Sequence, residues 1–219
     1  VRAAYDAYLF QDVIRPILDF CQEDLSALFF DIRRDSLYCD QPGELKRRAA
    51  RTVMEAVFER LTAWLSPLIP FTTEEAWTTR YPQAHSNCLR TIPITPAEWR
   101  NDPEAARWAK VQKLTSVVTG ALEVERREKR MGAALEAAPK VYVAEADLLA
   151  ALDGLDPAEV FRTSQANLVA GEGPAGAFRL PEVSGVAVEP LKAEGKKCAR
   201  SWRILPEVGS DPRYPDLSP

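Results

Sequence analysis

The fold is decided by residues 46–77, KRRAARTVMEAVFERLTAWLSPLIPFTTEEAW, whose pattern predicts two consecutive helices. Pro67 and Pro70 end the first helix, because proline lacks a backbone donor and disfavours the helical conformation at the residue before it. Thr72 and Glu75 have the spacing of a capping box, so we expect the second helix to begin at Thr72. Apolar residues three and four apart place one stripe along the first helix: Ala50, Val53, Met54, Val57, Phe58, Leu61, Trp64 and Leu65. The pattern alone also fits two packed helices with a basic, solvated end.

Length and composition are those of a globular protein. The chain has 219 residues, of which 46% are hydrophobic and 27% charged, enough for one large domain or two small ones. No apolar run reaches the roughly 20 residues that cross a bilayer, and no secretory signal opens the chain. The four cysteines are scattered without a CxxC pair, which favours reduced thiols. We therefore expect a cytoplasmic, monomeric protein without a membrane partner, and its start at Val1 suggests a piece of a longer chain.

The charge balance limits the class of nucleic-acid binder. The formal net charge is −4, whereas a small autonomous nucleic-acid-binding domain is usually basic. RNA binding remains open, because affinity depends on a local cationic patch rather than on the sum of charges.

The flanking segments predict a helical region followed by a mixed one. Apolar spacing over residues 5–21 predicts a helix that Pro16 kinks or splits, and a second long helix is expected from Pro103. After it, Gly132 is expected to let the chain leave the helix before a strand at residues 140–144. Further strands are predicted at 160–169 and 186–191, with a short helix at 147–152 between strands. The predicted fold class is mainly α, a helical bundle at residues 1–138 followed by a small α+β module at 139–219.

Several phrases resemble one enzyme family. The run LSPLIPFTTEEAW resembles the anticodon-binding helical domain of class I aminoacyl-tRNA synthetases for isoleucine, valine and leucine. The phrases at 24–27 (DLSA), 35–38 (DSLY) and 121–137 (ALEVERREKRMGAALEA) are similar to isoleucyl-tRNA synthetases of bacteria, although Arg34 stands where lysine is commoner. The resemblance covers nearly the whole chain and implies the C-terminal region of such an enzyme.

The tail resembles the zinc module that ends many bacterial isoleucyl-tRNA synthetases, but its ligands are altered. Residues 197–209 and 214–219 follow the frame of two Cys-x-x-Cys knuckles. Of the four cysteine positions only Cys198 is a cysteine, because Ser201 and Ser218 occupy the second and third and the sequence stops before the fourth. Structural zinc needs about four thiolate or imidazole ligands. We therefore expect a degenerate knuckle without zinc, and no cofactor in this chain.

The resemblance implies a binding role within a larger enzyme. The parent reaction would be ATP-dependent activation of isoleucine and its transfer to tRNA(Ile), with ATP and magnesium bound by a catalytic domain. The family's HIGH-like and KMSKS-like signatures are absent here, so no catalytic residue is predicted and the chain alone should be inactive. The expected partners are tRNA(Ile) and the rest of the synthetase polypeptide. Alternatives are a structural or protein-docking helical module, or the same region of a valyl or leucyl enzyme.

RNA recognition needs cations for phosphates and planar groups for splayed bases. Three clusters supply them: a helix-end cluster, a second-helix cluster and a tail cluster. Each cluster could instead have a purely structural role. The first would be a solvated helix end, the second a set of internal ion pairs, and the third would contain a tryptophan of a small core. The predicted nucleic-acid-binding residues, cluster by cluster, are Arg33, Arg34, Lys46, Arg47, Arg48 and Arg51; Arg126, Arg127, Lys129 and Arg130; and Lys196, Lys197, Arg200, Trp202 and Arg203.

Overall fold

Residues 46–65 and 70–77 lie in two consecutive helices, as predicted, in the computed structural model, which describes residues 1–219. They belong to the first of two separately packed units, Val1–Arg100 and Asn101–Pro219. Short 3₁₀ turns occupy Asn87–Leu89 and Ala97–Trp99 of the first unit. Its helices are α1 (Arg2–Asp6), α2 (Phe10–Asp19), a π-helical segment (Phe20–Phe30), α3 (Asp31–Cys39), α4 (Leu45–Leu65) and α5 (Pro70–Arg80).

The start of α5 differs from the expected capping box. The helix begins at Pro70, two residues before Thr72, and its N-cap Ile69 forms no side-chain hydrogen bond. Proline is well suited to the first helical position because its φ is already helical and its missing donor is not needed there. Thr72 therefore lies inside the helix, and the capping-box prediction is wrong.

The apolar stripe of α4 is only partly buried within its own unit. Of its residues only Ala50 is fully buried, whereas Val53 remains 44% exposed and Met54 is exposed as well. The helix was predicted correctly from its apolar periodicity. That periodicity does not determine how much of the apolar face is buried by neighbouring residues. Part of the stripe lines an open groove instead of a core.

The N-terminal run is interrupted at Tyr8 rather than at Pro16. Tyr8 has a positive φ of 57°, and it separates α1 from α2. The helix is not split at Pro16, which lies inside α2, and the buried Val13 and Ile17 flank it. The wider π-helical turns begin four residues later and lead directly into α3.

The second unit packs one long helix against a small sheet. The helix α6 (Asp102–Arg127) confirms the predicted second long helix, and Asn101 caps it by accepting a hydrogen bond from Glu104 N–H. The sheet has the order β2 (Asn167–Ala170), β1 (Lys140–Val143), β3 (Val186–Glu189), with β1 parallel to β2 and antiparallel to β3. Its core joins Leu114 and Val118 of α6 to Val141 and Val188 of the sheet. The remaining elements are a 3₁₀ turn (Ala134–Glu136), α7 (Ala146–Ala150), α8 (Pro157–Phe161), β4 (Lys196–Lys197) and β5 (Ile204–Leu205).

Two details of this unit correct the predictions. The expected strand at 160–169 is a strand only from Asn167, because Asp156 caps α8 by accepting from Ala158 N–H and Pro157 starts the helix. The chain leaves α6 at Lys129, whose φ is 57°, and not at Gly132.

The unit boundary lies at a different place from the predicted domain boundary. The domain boundary predicted from the sequence lies between residues 138 and 139, whereas the boundary between the two packed units lies between Arg100 and Asn101. The reason is α6, whose apolar face is buried against the sheet of the second unit. None of the helices combines the length and apolar character that a membrane span requires.

Candidate nucleic-acid interface

The helix-end cluster contains both internally bound and unengaged arginines. Arg47 donates to the Asp40 carbonyl at 2.5 Å, which joins the start of α4 to the end of α3, and Arg34 lies 3.7 Å from the Asp35 carboxylate. Arg48 and Arg51 are exposed one turn apart on α4 and form no ion pair. Those two side chains are therefore available to an anion. Arg33 and Lys46 also belong to this predicted cluster; Arg33 is half-buried on α3 and Lys46 exposed on α4.

The second-helix cluster divides in the same way. Arg126 pairs with Glu123 at 2.5 Å, and Arg130 pairs with Glu125 at 2.5 Å and also with Glu128. The hydrogen bond from Arg130 lowers the pKa of the Glu125 carboxyl and so favours its charged form. Arg126 and Arg130 therefore form internal ion pairs, the structural role considered for this cluster.

Arg127 and Lys129 of the same cluster are exposed and form no ion pair. All four cations line one open depression of about 610 Å³ at the end of α6. Lys129 projects from the left-handed turn that ends the helix, so the turn itself positions it.

The tail cluster presents an aromatic plane beside lysines. Trp202 is 60% exposed and has a positive φ of 64°, so the core-residue reading of this tryptophan is wrong. The Lys197 ammonium lies 5.1 Å from its ring centroid, a cation–π geometry. Lys196 and Arg200 are exposed in the same short segment. Arg203 instead faces inward.

Arg203 and Cys198 hold the tail turn together. Arg203 donates two hydrogen bonds to the Ser164 carbonyl, at 2.6 and 3.1 Å. The Cys198 N–H donates to the Arg203 carbonyl at 2.8 Å, and the Trp202 N–H donates to the Cys198 carbonyl at 2.9 Å. The knuckle-shaped turn is therefore formed by protein hydrogen bonds.

The donors around Cys198 do not match a structural zinc site. Its thiol is 2% exposed, and the Ser218 N–H and hydroxyl both donate to its sulfur at 3.5 Å. Burial by itself would raise the pKa of the Cys198 thiol, but hydrogen bonds from Ser201 and Ser218 lower it to about 6. One thiol and two serine hydroxyls fall short of the four thiolate or imidazole ligands that structural zinc prefers. No group of three or more potential metal-binding side chains occurs in the chain.

A cationic surface beside the helix-end cluster was not predicted from the sequence. Arg48 and Arg51 share a groove of about 660 Å³ with Arg60, Arg80 and Trp99. The segment IPITPAEW at 92–99 could have indicated an exposed aromatic side chain at this surface. Its tryptophan is not part of any periodic apolar pattern that would place it in a core.

Comparison with known proteins gives consistent matches. The family described as the anticodon-binding domain of tRNA ligase matches residues 1–142. The whole chain is 70% identical to the isoleucine–tRNA ligase of Caulobacter vibrioides, 57% identical to that of Agrobacterium fabrum and 50% identical to that of Brucella abortus. All of this chain is covered in each case, and it spans 22% of the length of each relative.

Proposed function

The chain belongs to the family of anticodon-binding domains of tRNA ligases, and on that premise we propose that it binds the anticodon stem-loop of tRNA(Ile) for an isoleucine–tRNA ligase. The high identity to three isoleucine–tRNA ligases over the full chain supports isoleucine rather than valine or leucine as the amino acid. The parent enzyme would activate isoleucine with ATP and transfer it to the tRNA, and this chain would position the tRNA for that step.

The observation that carries this proposal is a set of six exposed cations within the predicted clusters that form no ion pair. They form three pairs, Arg48 with Arg51, Arg127 with Lys129, and Lys196 with Lys197. Phosphate contacts supply most of the affinity and fix the orientation of a nucleic acid, whereas base contacts supply specificity. Arginines with internal partners, such as Arg47 and Arg203, would instead keep the RNA-binding segments in shape.

The remaining assignments follow from the same proposal. The chain binds but does not catalyse, and the rest of the synthetase polypeptide supplies the chemistry together with ATP and magnesium. The tail module holds no zinc, for which the donor set around Cys198 is the support. The chain acts as a monomer in the cytoplasm.

The test is a titration of the chain with isoleucine and valine tRNA transcripts at two salt concentrations. If all six exposed cations contact phosphates, affinity should fall on the order of 10³-fold between 50 and 200 mM salt. Reversing charge at Arg48 and Arg51 should weaken binding and lower the salt slope. Reversal at Lys113, an exposed lysine of α6 outside the three clusters, is the matched control. Equal binding of both transcripts, or none, would refute tRNA(Ile) recognition by this chain.

A second candidate function is docking onto protein, favoured by exposed apolar side chains of the first unit. Phe10, Ile14 and Leu18 are exposed at helical spacing on α2, and Phe71 is exposed on α5. Apolar docking depends little on salt, so the same titration separates the two functions.

A further inference from the structure

One groove along α4 is apolar on one side and cationic on the other. The apolar part has a volume of about 610 Å³ and is lined by Phe20, Val53, Leu61 and Trp64, among others. This volume lies within the roughly 300–1,000 Å³ of small-molecule pockets. The groove opens within the first unit and is the uncovered part of the α4 stripe.

Trp99 and Arg60 form the boundary between the two parts. Both residues line the apolar cavity and the neighbouring cationic one. The Arg60 guanidinium lies 4.4 Å from the Trp99 ring centroid, and it also donates to Ile94 and Thr95 at 3.3 and 3.4 Å. The loop is thereby tied to α4, while Trp99 keeps 54% of its surface exposed.

The two glutamates of the cationic part interact with Arg80 and Arg90 and not with Arg48 or Arg51. Glu55 accepts from Arg80 at 2.9 Å and from the Tyr81 hydroxyl, so its charge is already engaged. Glu59 lies near Arg90 and raises the pKa of that guanidinium, although burial lowers it more.

Arg48 and Arg51, on the same groove wall, have no such carboxylate partner and are exposed. Two unengaged guanidinium groups therefore stand next to an aromatic plane and an apolar cavity.

We propose that this groove is a subsite for one unpaired nucleotide of RNA. The base enters the apolar part and stacks on Trp99, and its flanking phosphates contact Arg48 and Arg51. Unpaired bases bind proteins by stacking on aromatic rings or guanidinium planes, and the Arg60–Trp99 pair presents both. The adjoining unengaged arginines favour a polyanion over an apolar protein segment. This inference rests on the proposed function and deepens it, because it locates a base-binding position outside the predicted residues.

The test compares two RNA hexanucleotides binding to the full chain at low salt. One carries a single 2-aminopurine, and the other is abasic at that position with the phosphates unchanged. We expect about tenfold tighter binding of the base-bearing strand, since stacking on one aromatic side chain accounts for a difference of about that size. Trp99→Ala should abolish the difference and Trp99→Phe should retain it. Phe71→Ala, which removes a 90% exposed aromatic side chain of α5 outside the groove and outside the three clusters, should also retain it.

Charge reversal supplies a second readout that does not depend on the tryptophan. Arg51→Glu should weaken binding of both strands and lower the slope of log affinity against log salt by about 0.7 or more. Equal binding of the two strands by the parent chain, or a base preference that survives Trp99→Ala, would overturn the proposal. The proposed function is tested separately, by tRNA binding. If Trp99→Ala still binds tRNA, the proposed function is unaffected. If the parent chain does not bind tRNA, the proposed function is refuted, whatever the result for the groove.

Discussion

Gly195→Ala should open the tail turn, because no side chain fits at this position. Gly195 has a φ of 125°, in a region that only glycine occupies without strain. A Cβ there would lie 2.3 Å from the Leu205 carbonyl carbon and 2.6 Å from the Pro206 nitrogen. Carbon atoms pack best at about 3.5–4.0 Å, so the β4–β5 backbone would have to move by roughly 1 Å. Strain of this kind costs about 1–3 kcal/mol, and loss of β4–β5 pairing adds to it.

The buried Cys198 thiol reports this opening directly. Cys21, Cys39 and Cys88 are replaced by alanine, and the remaining thiol is labelled with a disulfide reagent under native conditions. Labelling then requires the turn to open, because the sulfur is almost fully covered in the folded chain. A destabilisation of about 2–3 kcal/mol makes the open form about 30- to 150-fold more frequent, and labelling should accelerate by that factor.

Gly176→Ala is the matched control within the same unit. No atom lies within 4 Å of a Cβ at Gly176, and its φ is not positive. Its labelling rate should equal that of the parent. If Gly195→Ala labels no faster than Gly176→Ala, the turn does not depend on the close approach of Gly195 to Leu205.

Two further perturbations test a buried polar contact and a charged pair. Asn87→Ala should lower the free energy of unfolding of the first unit by about 1–3 kcal/mol, because it leaves the Thr62 carbonyl without the amide that donates to it at 3.0 Å. Hydrogen exchange of the α4 amides in the full chain measures this loss, and unchanged exchange would contradict it. The Arg130 hydrogen bond lowers the pKa of Glu125, so this pair should stabilise the fold fully above the unfolded value of about 4.5 and progressively less as pH falls through the folded pKa. The melting-temperature difference between parent and Glu125→Gln should therefore vanish in acid, and a difference independent of pH would exclude the ion pair as its cause.

The sequence predicted the elements whose signal is local. The helices α4, α5 and α6 and the strands β1 and β3 each have a continuous period bounded by proline, a cap or a turn. The tail turn was also anticipated, because Cys198 and the glycines near it keep the frame of a knuckle. Local signals of this kind do not depend on which partner covers an element.

The failures arise where the outcome depends on distant residues. Strand propensity at 160–169 was overridden by a capped turn at Asp156, and the burial of the α4 stripe depended on packing that no period encodes. Trp99 joined the candidate interface only because Arg60, 39 positions earlier, lies against its ring. Whether a given arginine forms an ion pair or hydrogen bond likewise depends on its neighbours in the folded chain.

The packing of α6 has a consequence for how such chains can be cut and recombined. The family match ends at residue 142, one residue before the end of β1, whereas α6 and β1 share one core that starts after Arg100. A chimera joined at the end of the family match would separate β1 from β3 and expose the apolar face of α6. A junction between Arg100 and Asn101 keeps both sets of contacts within one parent. Exchange of tail modules between related enzymes should therefore succeed when α6 travels with the sheet.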